Sequence, residues 1–485
     1  MKKKLLFRAD GNAKIGLGHL YRVFALIEFY KNDFEFIFIT QIASTTAIFP
    51  KEFKVEFIPE NILIIDEPKW LAKNYNPKEF ILIADGYQFN SNYQKKIKAF
   101  NFTLLYVDDL VSGHYFADVV INHSPKLNPT DFSSEDYTEF ALGTKFAMLR
   151  PNFNNAAKEN RKIDKIKNIF ICFGGSDFMN LSLKATKALL EIEEIEIINV
   201  VLGGAYTDLQ IFELCKSNNK LKIYKNIDEF SLVNILKSCQ LAIAPSSTIL
   251  YEICSVKMPV LSGFYVDNQK NIYNSFKNLG AIIAGGDFSN YTENNFKNEI
   301  NQILKLPNFD SFLERQKELF DGGNRLRFLG ILNKQLLTCR KVAKRDLETI
   351  FEWSNDVLVR TNSYNSEEIS IENHTKWFLN KIKDKNVLFL IIQINKIPAG
   401  LVRFEILDNY SVVGILVSKK YRGQKLSVNF LKLAINEYFN TFKKPIHAYI
   451  KEENKASVKT FINAGFSFYK NEKVKNSDSF VYKLE

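Results

Sequence analysis

A histidine follows a glycine-rich turn near the start of the chain. Gly16 and Gly18 come just before His19, and the apolar run at residues 4–9 predicts a buried strand ahead of them. Residues 19–30 predict a helix, so this turn is a strand-to-helix loop. Ligands of open α/β sheets bind outside the carboxyl ends of the strands, where such loops lie. His19 is therefore placed to meet a substrate, and a histidine titrates near neutral pH, as a general base must.

Other polar residues follow predicted strands in the same way. Carboxylates and a phenol at strand ends can bind the hydroxyl and amide groups of a ligand, and glycines or hydroxyls at helix starts expose main-chain amides that favour phosphate. Helix and turn capping is the alternative interpretation of each group. The first group is Asp10, Asp85 and Tyr87, and the second is Gly174, Gly175, Ser176, Ser246, Ser247 and Thr248. Glu252, one turn into its helix, suits a ribose diol, and Asn268 and Gln269 form a further polar cluster at a strand end.

The elements that must position these residues are predicted from the apolar pattern. Apolar runs alternate with amphipathic helices over residues 1–153 and again over 154–337, which favours two Rossmann-like α/β subdomains with a cleft between them. Phe146–Leu149 is expected to be a strand, and the polar segment 154–167 is expected to be a linker. Residues 338–485 change to a compact α+β pattern, so they are predicted to form a third domain.

Composition narrows the class of protein. The net charge of +11 is concentrated in residues 338–485, which hold 25 Lys/Arg against 16 Asp/Glu. Nucleic acid and a phosphate-rich small molecule both suit such a charge, but no nucleic-acid recognition motif accompanies it. The five cysteines have no paired spacing, so neither a metal site nor a disulfide framework is expected. No run reaches the length of a membrane span, and we expect a cytoplasmic protein.

Several motifs of the first 335 residues together resemble the UDP-2,4-diacetamido-2,4,6-trideoxy-β-L-altropyranose hydrolases of pseudaminic acid biosynthesis, nucleotide-sugar enzymes of the two-domain GT-B type. The motifs are Phe7-Arg-Ala-Asp10, Ile15-Gly-Leu-Gly-His-Leu-Tyr-Arg22, Ala84-Asp-Gly-Tyr87, Val107-Asp-Asp109, Cys172-Phe-Gly-Gly-Ser-Asp177, Pro245-Ser-Ser-Thr248 with Glu252, and Asp267-Asn-Gln269. The resemblance implies a GT-B-like arrangement and metal-free hydrolysis of a UDP-sugar at its anomeric carbon. It makes His19 the general base or the group that positions water, and Arg22 a substrate-binding residue.

The C-terminal residues carry a second resemblance, to the GNAT acetyltransferases. The segment 416–427 follows a predicted strand and opens a helix, like the loop that binds the pyrophosphate of coenzyme A in that superfamily. Trp353-Ser-Asn355, Val359-Arg360 and Glu372-Asn-His-Thr-Lys-Trp-Phe378 look like the enzymes that acetylate UDP-4-amino-4,6-dideoxy-N-acetyl-β-L-altrosamine. Lys425 and Ser427 stand where that loop often has glycine, and Phe461 stands where a tyrosine acid is common. The resemblance implies an acetyl-CoA site formed by Leu416, Val417, Arg422, Gly423, Gln424, Lys425, Leu426, Ser427, Asn454 and Ser457.

The two resemblances predict a bifunctional enzyme that N-acetylates a UDP-amino sugar with acetyl-CoA and then hydrolyses the product to free sugar and UDP. The alternative is a GT-B glycosyltransferase that uses a UDP-sugar, fused to a degenerate GNAT-like binding module. The expected partners are UDP-amino sugars and acetyl-CoA, with no metal, nucleic acid or membrane. His114, His123 and His447 are interpreted as structural residues. His374, beside Trp377, is interpreted as a packed or surface residue, with a substrate-side role as the alternative.

Overall fold

The computed structural model describes residues 2–12, 16–175 and 177–485. These residues divide into two compact units, Lys3–Arg325 and Leu326–Glu485. The second unit begins before the predicted boundary at residues 337/338, because the helix that precedes this boundary packs on the C-terminal domain. Asn333 Nδ2 on that helix donates a hydrogen bond of 2.7 Å to Gln424 Oε1. The two predicted domain boundaries, at residues 153/154 and 337/338, remain predictions.

The N-terminal part of the first unit is built on a parallel sheet. Continuous apolar runs such as Leu5–Phe7 are fully buried, as expected for strands that are covered by helices on both faces. Within the described residues the sheet has seven strands in the order β3-β2-β1-β4-β5-β7-β9. The strands are β1 (Lys4–Ala9), β2 (Phe36–Gln41), β3 (Val55–Ile58), β4 (Phe80–Asp85), β5 (Thr103–Val107), β6 (His114–Tyr115), β7 (Val119–Asn122), β8 (Ser133–Ser134) and β9 (Glu139–Leu142), of which β6 and β8 pair separately. The helices are α1 (Gly18–Tyr30), α2 (Glu67–Asn74), α3 (Ser91–Ala99) and α4 (Pro151–Ala156).

A second parallel sheet follows in the same unit. As far as the structure describes this part, six strands lie in the order β12-β11-β10-β13-β14-β15, with the topology reversing between β10 and β13. Such a switch point opens a crevice at the carboxyl ends of the strands. The strands are β10 (Asn168–Ile171), β11 (Ile197–Leu202), β12 (Leu221–Lys225), β13 (Leu241–Pro245), β14 (Val260–Phe264) and β15 (Ile283–Asp287). The helices are α5 (Leu181–Leu190), α6 (Gln210–Ser217), α7 (Glu229–Ser238), α8 (Thr248–Ser255), α9 (Lys270–Asn278), α10 (Glu293–Ile303) and α11 (Asp310–Leu319).

The C-terminal unit has a mixed sheet, which agrees with the predicted α+β domain. Its described strands are ordered β16-β17-β18-β19-β20-β22-β21, and only the β19–β20 pair among them is parallel. The strands are β16 (Leu337–Lys341), β17 (Val387–Ile394), β18 (Ile397–Ile406), β19 (Ser411–Val417), β20 (Ile446–Lys451), β21 (Ser467–Val474) and β22 (Ser477–Leu484). The helices are α12 (Asn324–Lys334), α13 (Leu347–Ser354), α14 (Val357–Asn362), α15 (Ile371–Lys381), α16 (Ser427–Thr441) and α17 (Lys455–Asn463). Among the described residues, no helix is long and apolar enough to cross a membrane.

Two local predictions are wrong. The predicted strand at Phe146–Leu149 does not form, because a 3-10 turn covers Thr144–Phe146 and the following residues pack irregularly. Ala147 and Leu149 are instead buried in the core around α8. The predicted linker at 154–167 starts inside α4, and its Ile163 and Ile166 belong to the core of the second sheet.

Candidate active sites

His19 lies in the first turn of α1 and pairs with a buried carboxylate at the end of β4. His19 Nδ1 lies 2.6 Å from Asp85 Oδ1, and Asp85 is fully buried. Although burial opposes ionisation, the adjacent Arg22 and the His19 hydrogen bond hold the pKa of Asp85 below its usual value. Arg22 Nη2 also lies 2.8 Å from the same ring nitrogen, but it donates to Asp85 Oδ1 at 2.7 Å. The shorter contact of Nδ1 with the ionised Asp85 therefore favours a proton on Nδ1. Nε2 is then the basic nitrogen of His19.

Arg22 joins this pair to a second carboxylate. Its Nε and Nη2 donate to both oxygens of Asp85 at 2.9 and 2.7 Å, and its Nη1 donates to Asp109 Oδ2 at 2.6 Å. Tyr87 also donates to Asp109, and its ring packs edge-on against His19 with 4.7 Å between the centroids. Tyr87 is 53% exposed and therefore accessible to a ligand, whereas Asp85 is not. Asp85 was predicted to bind substrate, but the structure gives it the position of a residue that orients His19.

The predicted site residue Asp10 belongs to a different cluster. Its Oδ1 accepts hydrogen bonds from Arg8 Nη1 at 2.5 Å and from the Gln41 amide at 2.8 Å, and its Oδ2 accepts one from Gln88 Nε2 at 3.0 Å. Burial opposes ionisation here too, yet Arg8 keeps the pKa of Asp10 below its usual value. Arg8 is itself held by a bidentate ion pair with the buried Glu67.

A cleft of about 330 Å³ lies beside the His19 turn within the first unit, although His19 itself is not among the residues that line it. Gly18, Tyr21 and Arg22 line one side of it, and residues of α8 and of the segments before α4 and α7 line the rest. The predicted residues that it brings together are Gly18, Arg22, Thr248 and Glu252, and it adds His123, Ala147, Met148, Leu149, Arg150, Ile227, Asp228, Glu229, Ile249 and Tyr251. The glycine-histidine turn and the helix after the serine cluster therefore contribute to one cavity.

The three residues of the serine cluster, Ser246, Ser247 and Thr248, lie in different environments. Ser246 is fully buried and its hydroxyl pairs with Ser262 Oγ at 2.9 Å, so its side chain does not face a ligand. Ser247 is the N-cap of α8 but makes no side-chain capping bond, and Thr248 is exposed at the first turn. Such a helix start leaves main-chain N–H groups for an anion. Ser246 was predicted as a ligand contact, and its hydroxyl is used between strands instead.

Glu252 forms a bidentate ion pair with Arg150 and is not a solvent-exposed carboxylate. Arg150 Nε and Nη2 donate to its two oxygens at 2.7 and 3.0 Å. Burial raises the pKa of Glu252, and the Arg150 guanidinium opposes that rise. Both side chains line the cleft, so Arg150 is a cation that the sequence motifs did not single out.

The glycine loop after β10 does not line this cleft. Gly174 has a φ of +85°, which an L-residue adopts only with strain, and a side chain on Gly203 would meet Gly175 O at 2.2 Å. Gln269 accepts a hydrogen bond from the Tyr265 amide, while Asn268 is exposed. The Gly16 amide donates to Asn12 O at 2.9 Å, and Ser176 lies outside the described residues.

His123 was interpreted as structural, but it lines the cleft. Burial lowers its pKa to about 4, so the imidazole is neutral at physiological pH. Its ring packs 4.6 Å from Tyr251 of α8. The sequence could have indicated His123 as a site residue, because it directly follows β7, just as Asp10 and Asp85 lie at the ends of their strands. His374, in contrast, is buried among Phe351, Trp377 and Phe378, as predicted.

The C-terminal unit contains a cleft of about 660 Å³ where β19 and β20 separate. The two strands pair only at Ser411–Ile446 and Val412–His447, and the cavity opens beyond these pairs. Nine of the ten predicted cofactor residues line it: Leu416, Val417, Arg422, Gly423, Lys425, Leu426, Ser427, Asn454 and Ser457. The Gln424 side chain points away, donating to Lys420 O and accepting from Asn333.

The loop before α16 has the backbone shape of a glycine-rich anion loop. Gly423 and Lys425 have φ values of +78° and +58°, so a lysine occupies a left-handed position that favours glycine. Leu426 caps α16 without a side-chain bond, which leaves the first amides of the helix for a ligand. Arg422 is fixed by an ion pair of 2.8 Å with Asp356 and by a bond to Val417 O.

Phe461 lines this cleft, and a phenylalanine has no proton to donate. Three phenols line it as well: Tyr421, which lies within the segment 416–427, and Tyr364 and Tyr449, which the motifs did not single out. The Tyr364 hydroxyl donates to Ser479 Oγ at 2.9 Å, and burial raises the pKa of Tyr449, which keeps that phenol protonated. Among the described residues, no group of three or more His, Cys, Asp or Glu is arranged to hold a metal ion.

The fold and these sites define two classes of protein in one chain, a region similar to UDP-sugar hydrolases joined to an acetyltransferase domain. Residues 337–467 match the model of the acetyltransferase (GNAT) domain family. The chain is 27% identical over 275 residues to the UDP-2,4-diacetamido-2,4,6-trideoxy-beta-L-altropyranose hydrolase of Campylobacter jejuni, covering 55% of this chain and 94% of that protein.

Similarity to one relative extends over both regions. The uncharacterized protein MJ1062 of Methanocaldococcus jannaschii is 26% identical over 493 residues, covering 96% of each chain. Among solved structures, the spermidine N-acetyltransferase of Vibrio cholerae in complex with CoA and spermine matches 31% of this chain and 94% of its own, with 16% identity and a TM-score of 0.29.

Proposed function

We propose that the first unit hydrolyses a UDP-linked diacetamido-trideoxy sugar and that the second acetylates the UDP-amino sugar from which this substrate is made. The observation that carries the hydrolase proposal is the His19–Asp85 pair next to a cleft whose other wall is the start of α8. A water oxygen attacks the anomeric carbon, and its proton passes to His19 Nε2. The bond from that carbon to the phosphate oxygen breaks, and UDP leaves with the electron pair.

The cleft suits a departing nucleotide diphosphate. Free amides at the first turn of α8 and the guanidinium of Arg150 can stabilise the charge that develops on the phosphate. Glu252 is held by Arg150 with acceptor capacity that remains for ribose hydroxyls. Gly174, Gly175, Asn268 and Gln269 stay predicted contacts to the nucleotide.

The acetyltransferase proposal rests on the cleft between β19 and β20. An acetyl-CoA arm lying along β19 reaches main-chain groups of Leu416 and Val417, while the amides after Gly423 receive its pyrophosphate. The described lining residues include Arg422, Lys425 and Lys451 and no aspartate or glutamate. That charge disfavours a polycationic acceptor and favours an amine carried by a nucleotide diphosphate. The amine nitrogen bonds to the acetyl carbon and gives up a proton. The bond from that carbon to sulfur breaks, and coenzyme A leaves as the thiol after taking up a proton.

The test uses the full chain with a UDP-4-amino sugar and acetyl-CoA, following acetylation and UDP release together by NMR. We expect acetylation first and UDP release second, without any sugar acceptor. The variant His19→Asn should lose UDP release and keep acetylation, whereas His114→Asn, a partly exposed histidine bonded to Ser133 and Glu135, should keep both.

Two outcomes contradict these proposals. UDP release that needs an added acceptor would make the first unit a glycosyltransferase. Calorimetry that detects no acetyl-CoA binding at millimolar ligand would make the C-terminal unit a binding module without transferase activity.

A further inference from the structure

One histidine of the hydrolase cleft has no role in the proposed hydrolysis. His123 directly follows β7, is half-buried and lines the cleft. Its Nδ1 is buried and has no hydrogen-bond partner within the described part of the chain. Because Nδ1 is enclosed, the edge of the ring that meets the cleft carries Nε2. Nε2 is therefore the ring nitrogen that a ligand can reach.

His123 lies between the two sides of the cleft. On one side, its ring is 4.6 Å from the ring of Tyr251, one turn into α8, and its carbonyl oxygen accepts a bond from the Tyr251 hydroxyl at 3.4 Å. On the other side, the charges of Arg22 and of its two carboxylate partners are close enough to act on the His123 ring. These charged groups surround His19. His123 therefore stands between the general base and the start of α8.

The proposed hydrolysis determines which part of the substrate lies at this position. The anomeric carbon of the sugar is next to His19, while the diphosphate faces Arg150 and the free amides at the start of α8. The bond that breaks joins these two parts. We propose that His123 Nε2 donates a hydrogen bond to the phosphate oxygen that leaves the anomeric carbon, which makes His123 a catalytic residue of the hydrolase. This inference rests on the proposed function of the first unit.

The imidazole of His123 can act as a neutral donor. Burial and the nearby Arg22 lower its pKa to about 4, against the weaker opposing effect of Asp109 and Asp85. One ring nitrogen then carries a proton, and a buried N–H without an acceptor is rarer than a buried acceptor without a donor. The unpartnered Nδ1 therefore favours the tautomer with the proton on Nε2.

No proton has to pass from His123 to the leaving group. The attacking water gives its proton to His19, the bond from the anomeric carbon to the phosphate oxygen breaks, and UDP takes the electron pair. The hydrogen bond from Nε2 strengthens as negative charge develops on that oxygen, so it stabilises the transition state more than the bound substrate. His123 ends the reaction with its own proton.

The test compares His123→Leu, which removes the donor, with His123→Gln, whose side-chain amide can still donate. Loss of one such donor lowers kcat by about 10²–10³-fold in other enzymes. We expect His123→Leu to lower kcat for UDP release by about 10²-fold with little change in KM, and His123→Gln to lose about tenfold or less. Acetyl transfer by the same samples should be unchanged. The matched control is His114→Leu, since His114 belongs to the same unit and does not line the cleft, and it should keep both activities.

The pH profile separates a neutral donor from an acid that transfers its proton. Because the His123 imidazole is neutral above about pH 4, the pH dependence of kcat/KM should be the same in His123→Gln as in the wild type. Loss of the alkaline limb in His123→Gln would overturn the proposal, and so would full UDP release by His123→Leu.

UDP alone is a probe that does not depend on turnover. We expect UDP to shift those histidine ring signals in NMR spectra of the wild type that are missing in His123→Gln. Calorimetry that detects UDP binding without such a shift would refute the contact of His123 with the phosphate. If the wild type neither binds UDP nor releases it from the substrate, the proposed function fails, and this inference fails with it.

Discussion

Replacement of Asp85 by asparagine tests whether His19 acts as an oriented base. The introduced asparagine can still accept a bond from Arg22, but its amide N–H₂ faces His19 Nδ1, which then has to accept. The ring proton moves to Nε2, and that nitrogen can no longer take a proton from water. The comparable change in serine-protease triads lowers kcat by about 10⁴-fold. Because Arg22 also keeps Asp109, we expect the site to stay folded and kcat for UDP release to fall by about 10³–10⁴-fold.

The assay measures UDP release and acetyl transfer on the same sample. Acetyl transfer should be unchanged, which reports that the full chain is folded. The control is Asp108→Asn, since Asp108 is a buried carboxylate that bonds to the Leu110 and Val111 amides and to Asn122 rather than to His19. An Asp85→Asn enzyme that keeps more than about a tenth of its UDP release, against the expected loss, would refute the orientation of His19 by Asp85.

Three further predictions concern other parts of the chain. Lys425→Gly removes a left-handed L-residue and should raise the free energy of unfolding of the C-terminal unit by about 1 kcal/mol in thermal denaturation, whereas Lys425→Met should not. Phe461→Tyr places a proton donor in the coenzyme A cleft and should raise kcat for acetylation, and an unchanged pH–rate profile would show that Phe461 does not face the leaving thiol. Burial lowers the pKa of Lys257 from 10.5 to about 8, so the folded state disfavours the charged form. Relative to Lys257→Met, the wild type should therefore gain up to about 3 kcal/mol between pH 8 and 10.5 in denaturant titrations, and no gain would exclude this linkage.

The apolar pattern predicted the strands that are buried on both faces of a sheet. It gave a wrong strand where a helix buries an apolar segment, and it missed an exposed edge strand. The continuous apolar runs at Phe80–Ala84 and Thr103–Val107 predict strands, and they form β4 and β5 inside the first sheet. Residues 146–149 are equally apolar, but α8 buries them without a sheet partner. β21 was missed because most of its side chains are polar and exposed at a sheet edge, so no alternation marks it.

At the candidate sites, the sequence motifs located the functional loops but did not predict which side chains pair with each other. The turn before His19 and the position of Asp85 after β4 were both predicted. Their pairing was not, because contacts between residues far apart in sequence depend on the tertiary fold. The same limit applies to Arg150, which lies in no motif and meets Glu252 only after folding. Lys425 was noted only as a lysine at a glycine position of the loop pattern, and the structure gives it the left-handed backbone that favours glycine.

Helix α12 has a consequence for how the acetyltransferase domain can be separated or joined to other proteins. The family match begins at residue 337, yet Asn333 of α12 bonds to Gln424, and a side chain on Gly330 would meet Gln424 O at 2.4 Å. The residues of α12 that support the coenzyme A loop therefore lie before the segment that matches the family model. A protein cut at Thr338 would keep the whole cleft lining and lose the support of that loop. The helix that joins the two units therefore supports the loop of the second one, and a fusion protein that uses this domain has to include α12.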